Sequence, residues 1–101
     1  LVPPFIGEGT PLINNIDAVK TAKQEGSVLV ITTSRPERYR KITIQELEKY
    51  EIPFDYLIMG LPHSQRILIN DFSPTNPYPS CSAINIDRNS DTLGQHLKTN
   101  L

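Results

Sequence analysis

The sequence predicts an α/β domain: a Rossmann-like parallel sheet with flanking helices. Three observations carry this. Short runs rich in β-branched residues alternate with stretches of helical periodicity. The strand-like runs are continuously apolar, as in parallel sheets covered on both faces. Polar side chains collect where those runs end.

Residues 7–11, GEGTP, lead into the first helix; no strand precedes their glycines and no lysine follows in position, so they do not form a phosphate loop. Residues 10–25 then set Leu12, Ile13, Ile16, Val19 and Ala22 at helical spacing, with Thr10 as cap and Gly26 as the stop. SVLVIT (27–32) is the first strand, read as buried on both faces. A second helix is expected from about 36 to 50, with Thr33 or Ser34 as cap and Pro36 near the first turn. Tyr39, Ile42, Leu47 and Tyr50 would lie along one face of it. DYLIMG (55–60), RILIN (66–70) and CSAINID (81–87) are the second, third and fourth strands, and residues 91–98 form a short helix with Leu93 and Leu97 inward. Between the last two strands, Pro74, Pro77 and Pro79 forbid regular structure.

Composition narrows the class. The chain has 101 residues, enough for one small domain, and its 38% apolar and 21% charged content is that of an ordinary globular protein. A formal net charge of -1 gives no bulk attraction to nucleic acid or to anionic lipid, and no apolar run is long enough to cross a bilayer. Cys81 is the only cysteine, so neither an internal disulfide nor a cysteine metal cluster can form, which fits a reducing cytoplasm. The first residue is Leu1, not methionine, so the chain reads as processed or as a piece of something longer.

In parallel α/β sheets, ligands bind beyond the carboxyl ends of the strands. The polar residues there are Thr33, Ser34 and Arg35 after the first strand, Asn70 and Asp71 after the third, and Asp87, Arg88 and Asn89 after the fourth. Each also has a plain structural reading. Asp71 can open an Asx-turn into the proline-rich loop, Thr33 or Ser34 can cap a helix, and Arg35 can be solvated. The basic run RPERYRK reads as solvated helix surface, and His63 and His96 have no zinc-ligand spacing.

Four segments together resemble one family. VLVITTSRP is similar to the second signature of haloacid dehalogenase-like (HAD) phosphatases, an apolar strand ending in Thr or Ser, here Thr33. RILINDFSP resembles the closing signature, with the usual acidic pair altered to Asn70-Asp71. EIPFDYLIMGLPHSQR is similar to the third strand and the approach to the basic residue, and AINIDRN to the strand and loop that follow. The resemblance runs from about Leu12 onward. It implies phosphoryl transfer from a phosphorylated substrate through an aspartyl-phosphate, with Mg²⁺ neutralising charge. It also implies that Asp71, supported by Asn70, is a metal ligand, and that the Thr33 hydroxyl and the Ser34 N–H bind phosphate. Arg66 is then the nearest cation for the basic role, because Leu61 occupies the usual position.

The departure is equally definite. The family's Asp-x-Asp signature, which carries the nucleophile, is absent, and Asp17 lies inside a predicted helix. In the family that strand is central, between those read here as first and third. The expectation is therefore a single HAD-like domain over residues 1–101, incomplete at its N-terminus and inactive alone, with strand edges open to self-association. The alternative is a noncatalytic Rossmann-like α/β module that binds a phosphate ligand or a protein partner.

Overall fold

The computed structural model describes residues 4–7, 10–75 and 81–100. Pro77 and Pro79 of the proline-rich loop lie outside them. A short antiparallel hairpin, β1 (Ile6–Gly7) with β2 (Thr10–Pro11), precedes helix α1 (Ile13–Gln24). Strand β3 (Val30–Thr32), a single 3₁₀ turn (Glu37–Tyr39) and helix α2 (Arg40–Lys49) follow. Strand β4 (Tyr56–Ile58) pairs in parallel with β3, Ile31 opposite Leu57, and helix α3 (Leu93–Asn100) closes the chain. The described residues are thus mixed α/β with one parallel strand pair. No helix among the described residues is long and apolar enough to cross a membrane.

The helix ends follow from local chemistry. At the C-terminus of α1 the Ser27 N–H donates to Ala22 O and the Gly26 N–H to Lys23 O, a Schellman closure. This geometry needs a left-handed residue, and Gly26 supplies it at φ +99 without a Cβ clash. The end of α2 repeats the pattern through Ile52 to Leu47 and Glu51 to Glu48, with Glu51 taking the left-handed position at φ 56.

The start of α1 is built differently from expectation. Thr10 is in β2, and the N-cap position is Leu12, which offers no side-chain acceptor. The free amides at this end are met from the other end of the chain instead: Asp91 accepts from the Asn14 N–H at 3.2 Å and the Asn15 N–H at 2.8 Å. Asn15 returns the favour to α3, its Oδ1 accepting from the Leu93 N–H at 2.9 Å. Its Nδ2 donates to Pro4 O and Ser90 O at 2.7 and 2.8 Å. Asn15 is fully buried, and every polar atom of its side chain is satisfied.

The core collects Phe5, Ile6, Ile16, Leu47, Ile52, Leu57 and Met59. The inward face of α2 is Thr43, Leu47 and Tyr50; Tyr39 and Ile42, expected on that face, are exposed. Positions 43, 47 and 50 satisfy the i, i+4, i+7 rule, and the polar Thr43 hid the stripe.

The sheet is smaller than the sequence predicts. Residues 66–70 and 81–87 form no strand, although both are apolar runs of the right length. A strand needs a neighbouring strand, and neither run belongs to a sheet among the described residues. Residues 67, 68 and 69 are accordingly 77, 76 and 91% exposed. Nor is β3 buried on both faces: Val30, Tyr56 and Ile58 share an exposed face, while Ile31 and Leu57 turn to the core.

Asp55 ties the parallel pair to α1. Its Oδ2 accepts from the Leu29 N–H at 2.7 Å and its Oδ1 from Lys23 Nζ at 2.5 Å. The Leu29 amide, then Lys23, hold its carboxyl below the usual carboxylate range. A depressed folded pKa contributes stability that is present above the unfolded value, near 3.9, and is lost as pH falls through the folded one. The urea midpoint of the wild-type chain should therefore drop below about pH 4. Asp55→Asn should have a lower midpoint at pH 7 and a smaller acid-dependent drop; parallel curves for the two proteins would refute this role.

Candidate functional site

The carboxyl end of the parallel pair is the best-constructed polar region near the predicted residues. The Thr33 N–H donates to Ile58 O at 2.9 Å and Thr33 O accepts from the Leu61 N–H at 3.2 Å, prolonging the ladder past β3. Two residues on, Arg35 O accepts from the Gly60 N–H at 2.9 Å. Gly60 sits at φ +74, a conformation that a side chain would strain. These bonds stitch the loop after β3 to the loop after β4.

Within the β3 loop, the Thr33 hydroxyl oxygen accepts from the Arg35 N–H at 3.1 Å, a local turn rather than a helix cap. The helical path begins at Glu37, with Pro36 in the cap position, so Ser34 lies before the helix and not in its first turn. That corrects the expectation that the Ser34 N–H opens the helix. The reason is steric: Arg35, just before Pro36, is pushed toward extended backbone, so a helix cannot run back through it to Ser34. Thr33 and Ser34 are both half-buried.

Arg35 is not the solvated residue the sequence suggests. Its Nη1 donates to the Thr43 hydroxyl at 2.8 Å, and Thr43 donates onward to Tyr39 O at 2.8 Å. Arg35 Nη2 lies 4.0 Å from Glu46 Oε1. The sequence signal was Thr43 and Glu46 on one face of α2, three residues apart. Beside this network Arg40 forms a two-pronged pair with Glu37 and also donates to Leu57 O at 3.0 Å. That hydrogen-bonded pairing lowers the Glu37 pKa and raises that of Arg40.

The remaining predicted residues are elsewhere. Asn70 and Asp71 are exposed, on the run that forms no strand, and share no sheet with Thr33 among the described residues. Arg66 Nη1 donates to Pro62 O and Ser64 O at 2.8 and 2.6 Å, bracing its own loop. Asp87 is exposed in a turn, where its carbonyl accepts from the Ser90 N–H at 3.0 Å. A groove of about 690 Å³ runs between α1 and α3, lined in part by Asp17, Thr21, Glu25, Asp91 and Lys98; none of the predicted residues lines it.

Mg²⁺ is usually bound by one or two carboxylates with several waters. Asp71 and Asn70 are oxygen donors of the right kind, yet no group of three His, Cys, Asp or Glu side chains among the described residues could hold a metal. What the geometry offers is a braced loop presenting Thr33 and Ser34, with its arginine locked behind it. No family model, curated protein or solved structure matches the chain.

Proposed function

We propose that this chain is part of a Mg²⁺-dependent HAD-like phosphohydrolase. The observation that carries the reading is Thr33 at the carboxyl end of a strand in a parallel pair, in a loop fixed by backbone bonds to Gly60 and Leu61. Such a loop can hold a phosphate oxygen without first paying to order itself. The exposed run 66–71 supports the same reading, because a strand carrying Asp-x-Asp would belong between it and β3. In that completed arrangement Asp71 is the metal ligand and Asn70 its support. The aspartyl nucleophile comes from a segment this sequence does not contain.

The test is hydrolysis of p-nitrophenyl phosphate with Mg²⁺. The 101-residue chain should be silent. A polypeptide in which an apolar strand ending in Asp-x-Asp precedes residue 1 should turn over. There Asp71→Ala should cut the rate by roughly a hundredfold or more, and Thr33→Ala less, since backbone donors remain. Full activity of Asp71→Ala would remove the metal role. An inactive, folded extended polypeptide would favour the noncatalytic module.

A further inference from the structure

We propose that Arg35 is a positioning residue: anchored on Thr43 of α2, it fixes the Thr33 side chain so that the Thr33 O–H is the group offered to a phosphate oxygen. The inference rests on reading this loop as a phosphate site, and adds to that reading a residue that does not itself touch the anion.

A hydroxyl has one proton to donate and two lone pairs to accept with. The Arg35 N–H takes one lone pair of Thr33 Oγ1 at 3.1 Å, so the Thr33 proton has to find its acceptor elsewhere. Among the described residues no hydrogen bond uses the Thr33 O–H, the Ser34 N–H or the Ser34 hydroxyl. Three unused donors on two adjacent, half-buried residues suit an oxyanion.

How still those donors are held depends on the peptide between Ser34 and Arg35, because its N–H is the one that Thr33 accepts from. Arg35 tethers that peptide at two points. Its carbonyl accepts from the Gly60 N–H at 2.9 Å, and its Nη1 donates to the Thr43 hydroxyl at 2.8 Å. Thr43 is 2% exposed and lies within α2, where a threonine can donate to the carbonyl four residues back. It does so, to Tyr39 O at 2.8 Å, which uses its single proton and leaves a lone pair for Arg35. The relay therefore has one direction, from guanidinium to Thr43 to the Tyr39 carbonyl. Arg35 Nη2 faces the buried Oε1 of Glu46 at 4.0 Å, so the positive charge is answered on the helix side. What Arg35 does for an anion, it does through Thr33.

The experiment is titration of the 101-residue chain with inorganic phosphate, followed by the amide shifts of Thr33 and Ser34. Phosphate is taken to about 50 mM at constant ionic strength and about pH 8, where the dianion dominates. The Thr33 rotamer is read alongside from three-bond couplings to its Cγ2. The unaltered chain should bind with a dissociation constant on the order of 1–10 mM and show a single Thr33 rotamer. Thr43→Val keeps the shape of the buried side chain and removes its hydroxyl; it should weaken binding about three- to tenfold and average the rotamer. Thr43→Ser keeps the hydroxyl and loses a buried methyl; it should lower the urea midpoint yet leave binding and rotamer as they were. A purely structural role would make binding follow the urea midpoint instead, and so overturn the proposal. Arg35→Met should match Thr43→Val, and the double variant should bind no worse than either, since both cut the same relay. Arg35→Met also carries the test alone if Thr43→Val does not fold. Affinity unchanged by these variants would overturn the inference while leaving the loop a phosphate site. A loss in Arg35→Met far beyond that in Thr43→Val would make Arg35 a direct ligand, and overturn it equally. No phosphate-dependent shift at Thr33 or Ser34 in the unaltered chain would sink the phosphate reading of the loop, and this inference with it.

Discussion

Asn15→Ala should lower the unfolding free energy by about 2–4 kcal/mol, measured as a shift in the urea midpoint at unchanged slope. The side chain is fully buried and bonds Pro4 O, Ser90 O and the Leu93 N–H. Alanine keeps only the Cβ and leaves all of these groups without their partner. An unsatisfied buried group costs about 1–3 kcal/mol, and water entering the vacated space recovers part of it. Small domains hold only about 5–15 kcal/mol in total, so the variant should be partly unfolded at moderate temperature. Asp91→Asn is the informative companion. It keeps a carbonyl oxygen to accept from an α1 amide and should cost only about 1 kcal/mol. A midpoint for Asn15→Ala indistinguishable from wild type would mean the interlocked caps contribute nothing.

Leu47→Ala should be comparably severe, at about 3 kcal/mol. Leu47 has 0% exposure and belongs to the cluster that joins α2 to β4 and the hairpin. Truncation removes its transfer free energy and leaves a cavity that a helix packed on a two-stranded sheet closes only in part. Ile42→Ala, on the same helix but 57% exposed, should stay within about 0.5 kcal/mol. Equal losses at the two positions would mean that the helix is rotated relative to the face described here.

That pair also shows where sequence reading worked. Helical periodicity located α1, α2 and α3, and β-branched runs located β3 and β4, because both signals are local. The face of α2 was harder to read, since Thr43 is buried for its hydroxyl and looks polar in a pattern of apolar residues. RILIN is as strand-like as the runs that paired, but its own residues cannot reveal whether a neighbour exists. At the candidate site, Thr33 at a strand end was legible, and so was the loop that follows. The inward turn of Arg35 depends on packing against α2, and the absence among the described residues of a sheet shared by Asp71 and Thr33 depends on strand pairing. Neither is written in a short motif.

The interlocked caps also order events during synthesis. Asn15 and Asp91 are 76 residues apart in the chain. At translation rates of roughly 5–20 residues per second, α1 waits on the order of 4–15 s for the carboxylate that completes its first turn. Helix and helix–helix contacts form in microseconds to milliseconds, so the nascent chain reaches local equilibrium many times in that interval. During it the amides of Asn14 and Asn15 have only water to bond, and the Asn15 side chain has neither Ser90 nor Leu93 available. A ribosome stalled before the Asp91 codon would thus hold a nascent chain whose first helix frays, and a protease acting on such stalled chains should cut within residues 12–16 but spare them once Asp91 has emerged.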